Sequence, residues 1–415
     1  MRFNTLEDWL SWQESLHPSE IELGLERVSR VLARLDPQTP SFTVVTVAGT
    51  NGKGSSVAML EAVLRAAGHR VGCYTSPHLL RYNERIRIDG ETIDDHSLCE
   101  AFERVDRARG NDPLTYFEFG TLAAIDLLQR AGVQIALLEV GLGGRLDAVN
   151  VLDPDVALIT AIDVDHQDWL GSDRDTIARE KAGILRPGQR AVCADPRPPA
   201  SLLAHADALG VRLMVAGRDF RWQPRDDEDW EWLGRQAQRL PRPALAGQHQ
   251  LDNAAGVLAV LQWLEADFPV GPQAMARGLR EVQLPGRFQV LAGPPQQIFD
   301  VAHNAQSAQV LADNLDRHPR AGTTRAVLGM LADKDMAALA DCLRGQVDRW
   351  YLAPLDVPRG ATVAQLQAAL GDARSSAFDS VAAAYAAACG DSDARDRVVV
   401  LGSFHTVAAA LAQAV

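Results

Sequence analysis

The stretch VTVAGTNGKGSS, residues 45–56, constrains the chain more than any other. An apolar run passes there into a glycine-rich loop with one lysine and then into helix-compatible residues. This spacing predicts strand, phosphate loop and helix in succession. Gly49, Gly52 and Gly54 let the backbone turn tightly and approach a ligand, so that several N–H groups and the positive end of the next helix can face one polyphosphate. Lys53 adds a mobile positive charge, with Thr50, Asn51 and Ser55 beside it. The match to G-x-x-x-x-G-K-[ST] is imperfect, because Val47 stands where the first glycine belongs and Gly54 where the magnesium-binding hydroxyl belongs. Another group must then hold the metal. The plain alternative is an ordinary glycine turn between strand and helix.

The chain has 415 residues, room for two or three domains, with an ordinary globular balance of 47% hydrophobic and 23% charged residues. A formal net charge of -13 argues against a general nucleic-acid or anionic-membrane surface, while one cationic loop can still bind ATP. The five cysteines are widely spaced without a C-x-x-C pair and read as reduced core residues of a cytosolic protein. The start, MRFNTLEDWL, is no secretory leader, and no apolar run reaches membrane-spanning length. A cytoplasmic protein without nucleic-acid or membrane partners is expected.

Helical spacing over residues 5–15 and Ile21 to Leu35 predicts two helices before the loop. Beyond it, a helix to Ala67, a strand over Val71–Tyr74, a helix within 113–130, and strands over Ile135–Val140 and Val156–Ile162 alternate. Strands alternating with helices and running into polar loops predict an α/β fold, a doubly wound, mainly parallel P-loop sheet with ligands at its carboxyl edge. Residues 217–243, with Trp222, Trp230 and Trp232, read as a small, partly antiparallel excursion. Near residue 284, LPGRF breaks the pattern and suggests a passage between domains. Four apolar runs beyond it predict a second, smaller Rossmann-like lobe. The expected division is a nucleotide-binding domain over 1–284, a linker over 285–290 and a C-terminal domain over 291–415.

A phosphate loop calls for a divalent metal with oxygen or imidazole ligands at neighbouring strand ends. Ser76, Glu139 and His166 occupy such places; Glu139 closes ALLEV where a Walker-B carboxylate stands. They also read as a turn residue before Pro77, a cap on the glycine turn and a loop histidine. Lys181, in AREKAGIL, reads on its own as a solvated helical lysine. The second lobe offers Asp300, His303 and Asn304 at one strand end and Ser403 and His405 at another, with Arg287 in the passage. Capping and turn chemistry is their alternative.

GTNGKGS, YTSPHL, LTYFEFGT, LLEVGLGGRLDAVN, DHQDWLG, REKAGI, LPGRFQ, FDVAHN and GSFHTVA occur in the order seen in the bacterial bifunctional dihydrofolate synthase/folylpolyglutamate synthases, relatives of the Mur ligases. The chain resembles that family over nearly its whole length. The resemblance implies an ATP-dependent ligase joining L-glutamate to dihydropteroate and further glutamates to the γ-carboxylate of a folate; a monomer is expected. It implies magnesium at two sites, with Ser76, Glu139 and His166 as ligands and Lys181 carbamylated to bind the second ion. It places ATP on Gly49, Thr50, Asn51, Gly52, Lys53, Gly54 and Ser55, with Asn253, Arg287 and Asp300. Pterin falls to Glu22, Leu23, Gly24 and Leu25, to Thr115, Tyr116, Phe117 and Glu118, and to Leu146, Asp147 and Ala148. Incoming glutamate falls to His303, Ser403 and His405, and catalysis to Lys53, Lys181, His166 and His303.

The chemistry so implied is activation of an inert carboxylate by ATP to an acyl phosphate that the amino acid's amine then captures. A Mur-type peptide ligase would need an added N-terminal region for a UDP-sugar, and only 48 residues precede Gly49. A folylpolyglutamate synthase alone, or a P-loop switch that turns over ATP without folate, are the other readings.

Overall fold

Apolar runs rich in β-branched residues become buried strands, and their polar ends carry the chemistry. The computed structural model describes residues 1–17, 19, 21–36, 40–226 and 228–414, with Asp168 described in its backbone only. The chain divides into two compact units, Met1–Ala244 with Gln250–Val282, and Leu245–His249 with Gln283–Val415. The short Leu245–His249 segment therefore belongs with the second unit, where the sequence suggested a single passage near residue 284. The expected linker also contains the start of a strand, at Gln289.

The first unit holds β1 (Thr43–Ala48), β2 (Val71–Tyr74), β3 (Ile86–Ile88), β4 (Glu91–Thr92), β5 (Ile135–Glu139), β6 (Val156–Ile159), β7 (Arg190–Cys193) and β8 (Arg212–Val215). They form one sheet in the order β4-β3-β2-β5-β1-β6-β7-β8. From β2 to β8 neighbouring strands are parallel, and β3 and β4 add an antiparallel edge. Every residue of β5 and β6 is buried, as expected for parallel strands covered on both faces. Trp9, Phe102 and Phe119 centre one core cluster, while Ile159, Ile177 and Leu202 belong to another.

The helix Lys53–Ala66 leaves β1 through Gly52, whose φ of 90° only glycine adopts without strain. It packs closely on the helix Pro272–Glu281, where a Cβ on Gly278 would lie 2.5 Å from the Val63 Cα. Residues 217–243 contribute β9 (Arg221–Pro224), β10 (Asp229–Leu233) and β11 (Ala237–Pro241), an antiparallel sheet of three strands. The second unit has β12 (Gln289–Leu291), β13 (Gln296–Phe299), β14 (Thr324–Leu328), β15 (Arg349–Leu352), β16 (Ser375–Ala377) and β17 (Arg397–Leu401), ordered β12-β13-β17-β14-β15-β16.

Three sequence expectations need correction. The second helix starts at Glu26, not Ile21, because Glu22 is tied to the Arg27 guanidinium through both its side chain and its carbonyl, which holds residues 21–25 off the helix. β6 stops at Ile159 and not at Ile162, as Asn51 forms a bridge with Ala161 and draws the chain into the phosphate loop. Cys73, Cys99 and Cys193 are buried, whereas Cys342 and Cys389 are half-buried; all five are free thiols. Among the described residues no helix is long and apolar enough to cross a membrane.

Candidate active site

The phosphate loop is held in shape by its own backbone and by the end of β6. The Thr50 amide donates to the Ala161 carbonyl at 2.8 Å, and the Thr50 hydroxyl donates to the Asp163 carbonyl at 2.8 Å. Thr160 Oγ1 donates to the Asn51 carbonyl at 2.7 Å. A Cβ on Gly49 would lie 1.8 Å from that Thr160 oxygen, so only glycine fits. Lys53 Nζ sits 3.1 Å from the carbonyls of Gly49 and Thr50, folded back over the loop it serves. Ser55 is buried and accepts a bond from Gln250 Nε2 at 3.3 Å.

Asn253 joins this loop from the helix His249–Leu264. Its amide donates to Gln250 Oε1 at 3.0 Å, and a Cβ on Gly52 would meet Asn253 Oδ1 at 2.4 Å. Gln250 has no place among the sequence candidates; the polar first turn QHQ was its only signal. Gly52→Ala therefore combines a left-handed backbone with a side-chain clash. ATP affinity should fall about 100-fold, as measured by calorimetric titration. Adding Asn253→Ala removes the clash but not the backbone strain, so the double variant should recover only part of the loss.

Ser76 follows β2 and Glu139 ends β5, and these strands are neighbours. The Ser76 amide donates to Glu139 Oε2 at 3.2 Å, and the Glu139 carboxylate is 5% exposed. A hydroxyl and a carboxylate on adjacent strand ends are hard oxygen donors, and magnesium takes one or two such ligands while keeping waters and substrate phosphates. The donor set fits that ion. Among the described residues no three His, Cys, Asp or Glu side chains converge on a metal. His166 lies beyond β6 at φ 51°, its amide donating to Asp165 Oδ1 at 2.8 Å.

Lys181 contradicts the solvated-lysine reading, being 3% exposed on the helix Arg174–Ala182. The reason is long-range packing. The GLGG turn after Glu139 docks on this helix: the Arg145 amide donates to the Glu180 carbonyl at 2.8 Å, and a Cβ on Gly144 would lie 3.1 Å from the Lys181 Cα. Burial, reinforced by the positive charge of Lys53, pulls the Lys181 amine down to about 7, against the opposing pull of Asp165 and Asp147. Asp147, fully enclosed, is pushed up to about 6 by burial, although the amides of Leu142 and Val149 donate to it at 2.8 and 3.0 Å. Lys53, Lys181, Asp147 and Asp165 thus form one electrostatic neighbourhood. Asp165 was not singled out in the sequence, although DVDH placed it beside His166.

The three segments expected at the pterin are tied together in part. Thr115 and Glu118 form a reciprocal cap on the helix Tyr116–Ala131. Both Glu118 oxygens accept the Arg27 Nε–H at 2.9 Å, and Arg27 also binds Glu22. Leu23, Gly24 and Leu25 lie on this tethered segment. Phe117 packs over the turn after β5, where a Cβ on Gly141 would meet its ring at 2.7 Å. Asp147 caps a short helical turn that starts at Ala148, one residue after it and two after Leu146.

In the second unit Asp300 accepts the amides of Phe288 and Ala302 at 2.8 Å each, and burial raises its carboxyl against the pull of Arg287. The Arg287 guanidinium lies 5.0 Å over the Phe404 ring. His303 Nδ1 stands 2.8 Å from the Val301 carbonyl, and Asn304 caps the helix Ala305–Arg317. Ser403 is buried with its oxygen engaged by Thr406, the capping role that its position allowed. Burial lowers the His405 imidazole, helped by Arg359.

Comparisons with known proteins identify the family. Residues 47–196 match the Mur ligase middle domain, and residues 286–404 match the Mur ligase, glutamate ligase domain. The chain is 46% identical over 405 residues to the dihydrofolate synthase/folylpolyglutamate synthase of Escherichia coli, covering 97% of this chain and 94% of that protein. The Haemophilus influenzae protein of the same name is 39% identical, over 97% and 96%. The solved structure of E. coli FolC in complex with DHPP and ADP superposes with a TM-score of 0.94 at 45% identity, covering 99% of this chain and 98% of that one. The Yersinia pestis bifunctional enzyme complexed with AMPPNP and Mn ion gives 0.92 at 46% identity, with coverage of 99% and 98%. With a phosphate loop, a buried strand-end carboxylate and this likeness along almost its entire length, the chain belongs to the dihydrofolate synthase/folylpolyglutamate synthase family of Mur-type ligases.

Proposed function

We propose that the protein is an ATP-dependent ligase that adds L-glutamate to 7,8-dihydropteroate and further glutamates to the γ-carboxylate of reduced folates. The observation that carries this reading is the buried Lys181, its amine pulled down to about 7 beside the phosphate-loop lysine. A switch that only changes shape with ATP has no use for such an amine. The reading includes a cytoplasmic, monomeric protein.

A carboxylate is a poor electrophile, so its oxygen first attacks the γ-phosphorus of ATP and ADP leaves; the resulting acyl phosphate is then attacked by the neutral amine of glutamate, releasing phosphate. The loop N–H groups and Lys53 neutralise charge on the transferring phosphoryl group. Ser76, Glu139 and His166 would hold a magnesium ion, which when bound supplies further positive charge at the phosphates. Lys181, deprotonated in a large fraction near pH 7, can add carbon dioxide to become a carbamate and so present oxygens to a second ion. Arg287, Asp300 and Asn253 are assigned to the nucleotide and His303, Ser403 and His405 to incoming glutamate.

ADP release measured with L-glutamate plus dihydropteroate, plus tetrahydrofolate, or without either is the direct test. Turnover with both acceptors and little without them is expected. Equal turnover in all three would favour the ATP switch, and turnover with tetrahydrofolate alone would restrict the enzyme to polyglutamylation.

A further inference from the structure

Residues 217–243 carry none of the side chains assigned to nucleotide, folate, glutamate or metal, yet they hold Trp222, Trp230 and Trp232. Two of these serve the excursion itself. Trp230 and Trp232 are buried, and Trp230 Nε1 donates to the Pro241 carbonyl at 2.9 Å, joining β10 to the end of β11. Trp222, opposite Trp232 on β9, is half-buried and spends its polar atom outside the sheet. Its Nε1 donates to Asp252 Oδ1 at 2.7 Å, in the first turn of the helix His249–Leu264. The excursion also reaches the other end of that helix, where the Arg235 amide donates to Gln262 Oε1 at 3.3 Å and the Arg235 guanidinium lies 3.7 Å from Glu265.

Asp252 is the neighbour of Asn253, which gives the indole bond a consequence at the phosphate loop. Asn253 donates to Gln250, Gln250 donates to Ser55, and a Cβ on Gly52 would meet Asn253 Oδ1 at 2.4 Å. Side-chain tips stand roughly 5 Å from a helix axis, so a rotation of about 10° moves them by about 1 Å. Misplacement on that scale costs up to about 100-fold where a group must meet a substrate. Farther along, the helix is seated beside β7: a Cβ on Gly256 would lie 2.6 Å from the Ala194 Cβ, and Trp263 Nε1 donates to the Ala191 carbonyl at 3.2 Å. Trp222 anchors the start. Burial raises the Asp252 carboxyl against the pull of the indole N–H, so losing that donor leaves an enclosed acceptor short of a partner and favours a turned helix start.

We propose that Trp222 is a positioning residue for the nucleotide: through Asp252 it sets the rotation of the helix start, and with it the place of Asn253 against the phosphate loop. This rests on the assignment of Asn253 to ATP. The effect falls on ATP and not on the folate acceptor, whose assigned segments, residues 22–25, 115–118 and 146–148, lie on other elements.

Trp222→Phe keeps a ring and removes the N–H. Its Kd for ATP, by calorimetric titration, should rise about tenfold, while KM for dihydropteroate and for tetrahydrofolate at saturating ATP stays within about twofold. Asp252→Ala should match it, whereas Asp252→Asn, which keeps an oxygen acceptor for the indole, should bind ATP within about threefold of the wild type. A double-mutant cycle separates positioning from packing: in an Asn253→Ala background Trp222→Phe should weaken ATP binding by less than about twofold, because the residue it places is gone. Unchanged ATP affinity in folded Trp222→Phe, an equal rise in the ATP Kd and both acceptor KM values, or full additivity with Asn253→Ala would overturn the proposal. Should neither Trp222→Phe nor Asp252→Ala fold, wild-type protein decides the matter. Coupling is reciprocal, so ADP binding should slow amide hydrogen exchange at 221–223 as well as at 249–253, and unaltered exchange at 221–223 would overturn the proposal. An Asn253→Ala protein that binds ATP as tightly as the wild type would instead remove the Asn253 assignment, and this inference with it, while leaving the ligase reading to its own test.

Discussion

Lys53→Ala is expected to lower acceptor-dependent ADP release by at least about 1,000-fold while the protein stays folded. The side chain reaches back over its own loop, Nζ lying 3.1 Å from the carbonyls of Gly49 and Thr50, so the charge is placed where transferred phosphate must sit. Alanine at the first position of a 14-residue helix costs nothing in helix propensity. The loop's shape is set by Thr50, Thr160 and the glycines rather than by the lysine. Lys53→Arg should restore little, since a planar fork does not fit the space of a compact ammonium. Circular dichroism and a melting curve matching the wild type, together with lost turnover, would support the role. Turnover within about fivefold of the wild type in folded Lys53→Ala protein would refute it.

How much of this was readable in the sequence depends on how far each feature reaches along the chain. The phosphate loop was legible because its strand, glycines, lysine and helix are contiguous and their spacing alone dictates the turn. Glu139 was legible as a strand end for the same reason, ALLEV being a buried strand that stops at a glycine turn. Lys181 looked like a surface group when read by itself, and only the family resemblance set that reading aside. Its burial comes from a turn more than thirty residues upstream, where Gly143 and Gly144 pack on its helix, and no local pattern records that contact. The short outer strands β3, β4, β12 and β16 were missed because segments of two or three residues carry too little alternation to detect. Asn253 could be placed near nucleotide only through the family resemblance, and its contact with Gly52 spans 201 residues (253 − 52).

Lys181→Met should separate function from stability in opposite directions. A thioether of similar length fills the buried site without an amine, so acceptor-dependent ADP release should fall at least about 1,000-fold if the amine or its carbamate is required. Stability should move the other way. The folded-state value of about 7 lies below the ordinary lysine value of 10.5, so between these pH values the unfolded chain binds more protons than the folded one. Stability contributed by this group is complete above 10.5 and is lost as pH falls towards 7, a deficit on the order of 5 kcal/mol for a free amine. Methionine carries no such deficit, so the variant should melt higher than a wild-type protein with a free amine at pH 7.5, and its stability should no longer climb from pH 7 to 10.5 on this account. Carbamylation abolishes the same climb in the wild type, because the nitrogen then takes up no proton. Intact-mass measurement with and without bicarbonate therefore tells which form is present, and melting curves against pH must agree with it. A folded Lys181→Met protein that turns over at the wild-type rate would show that the enclosed amine serves packing alone.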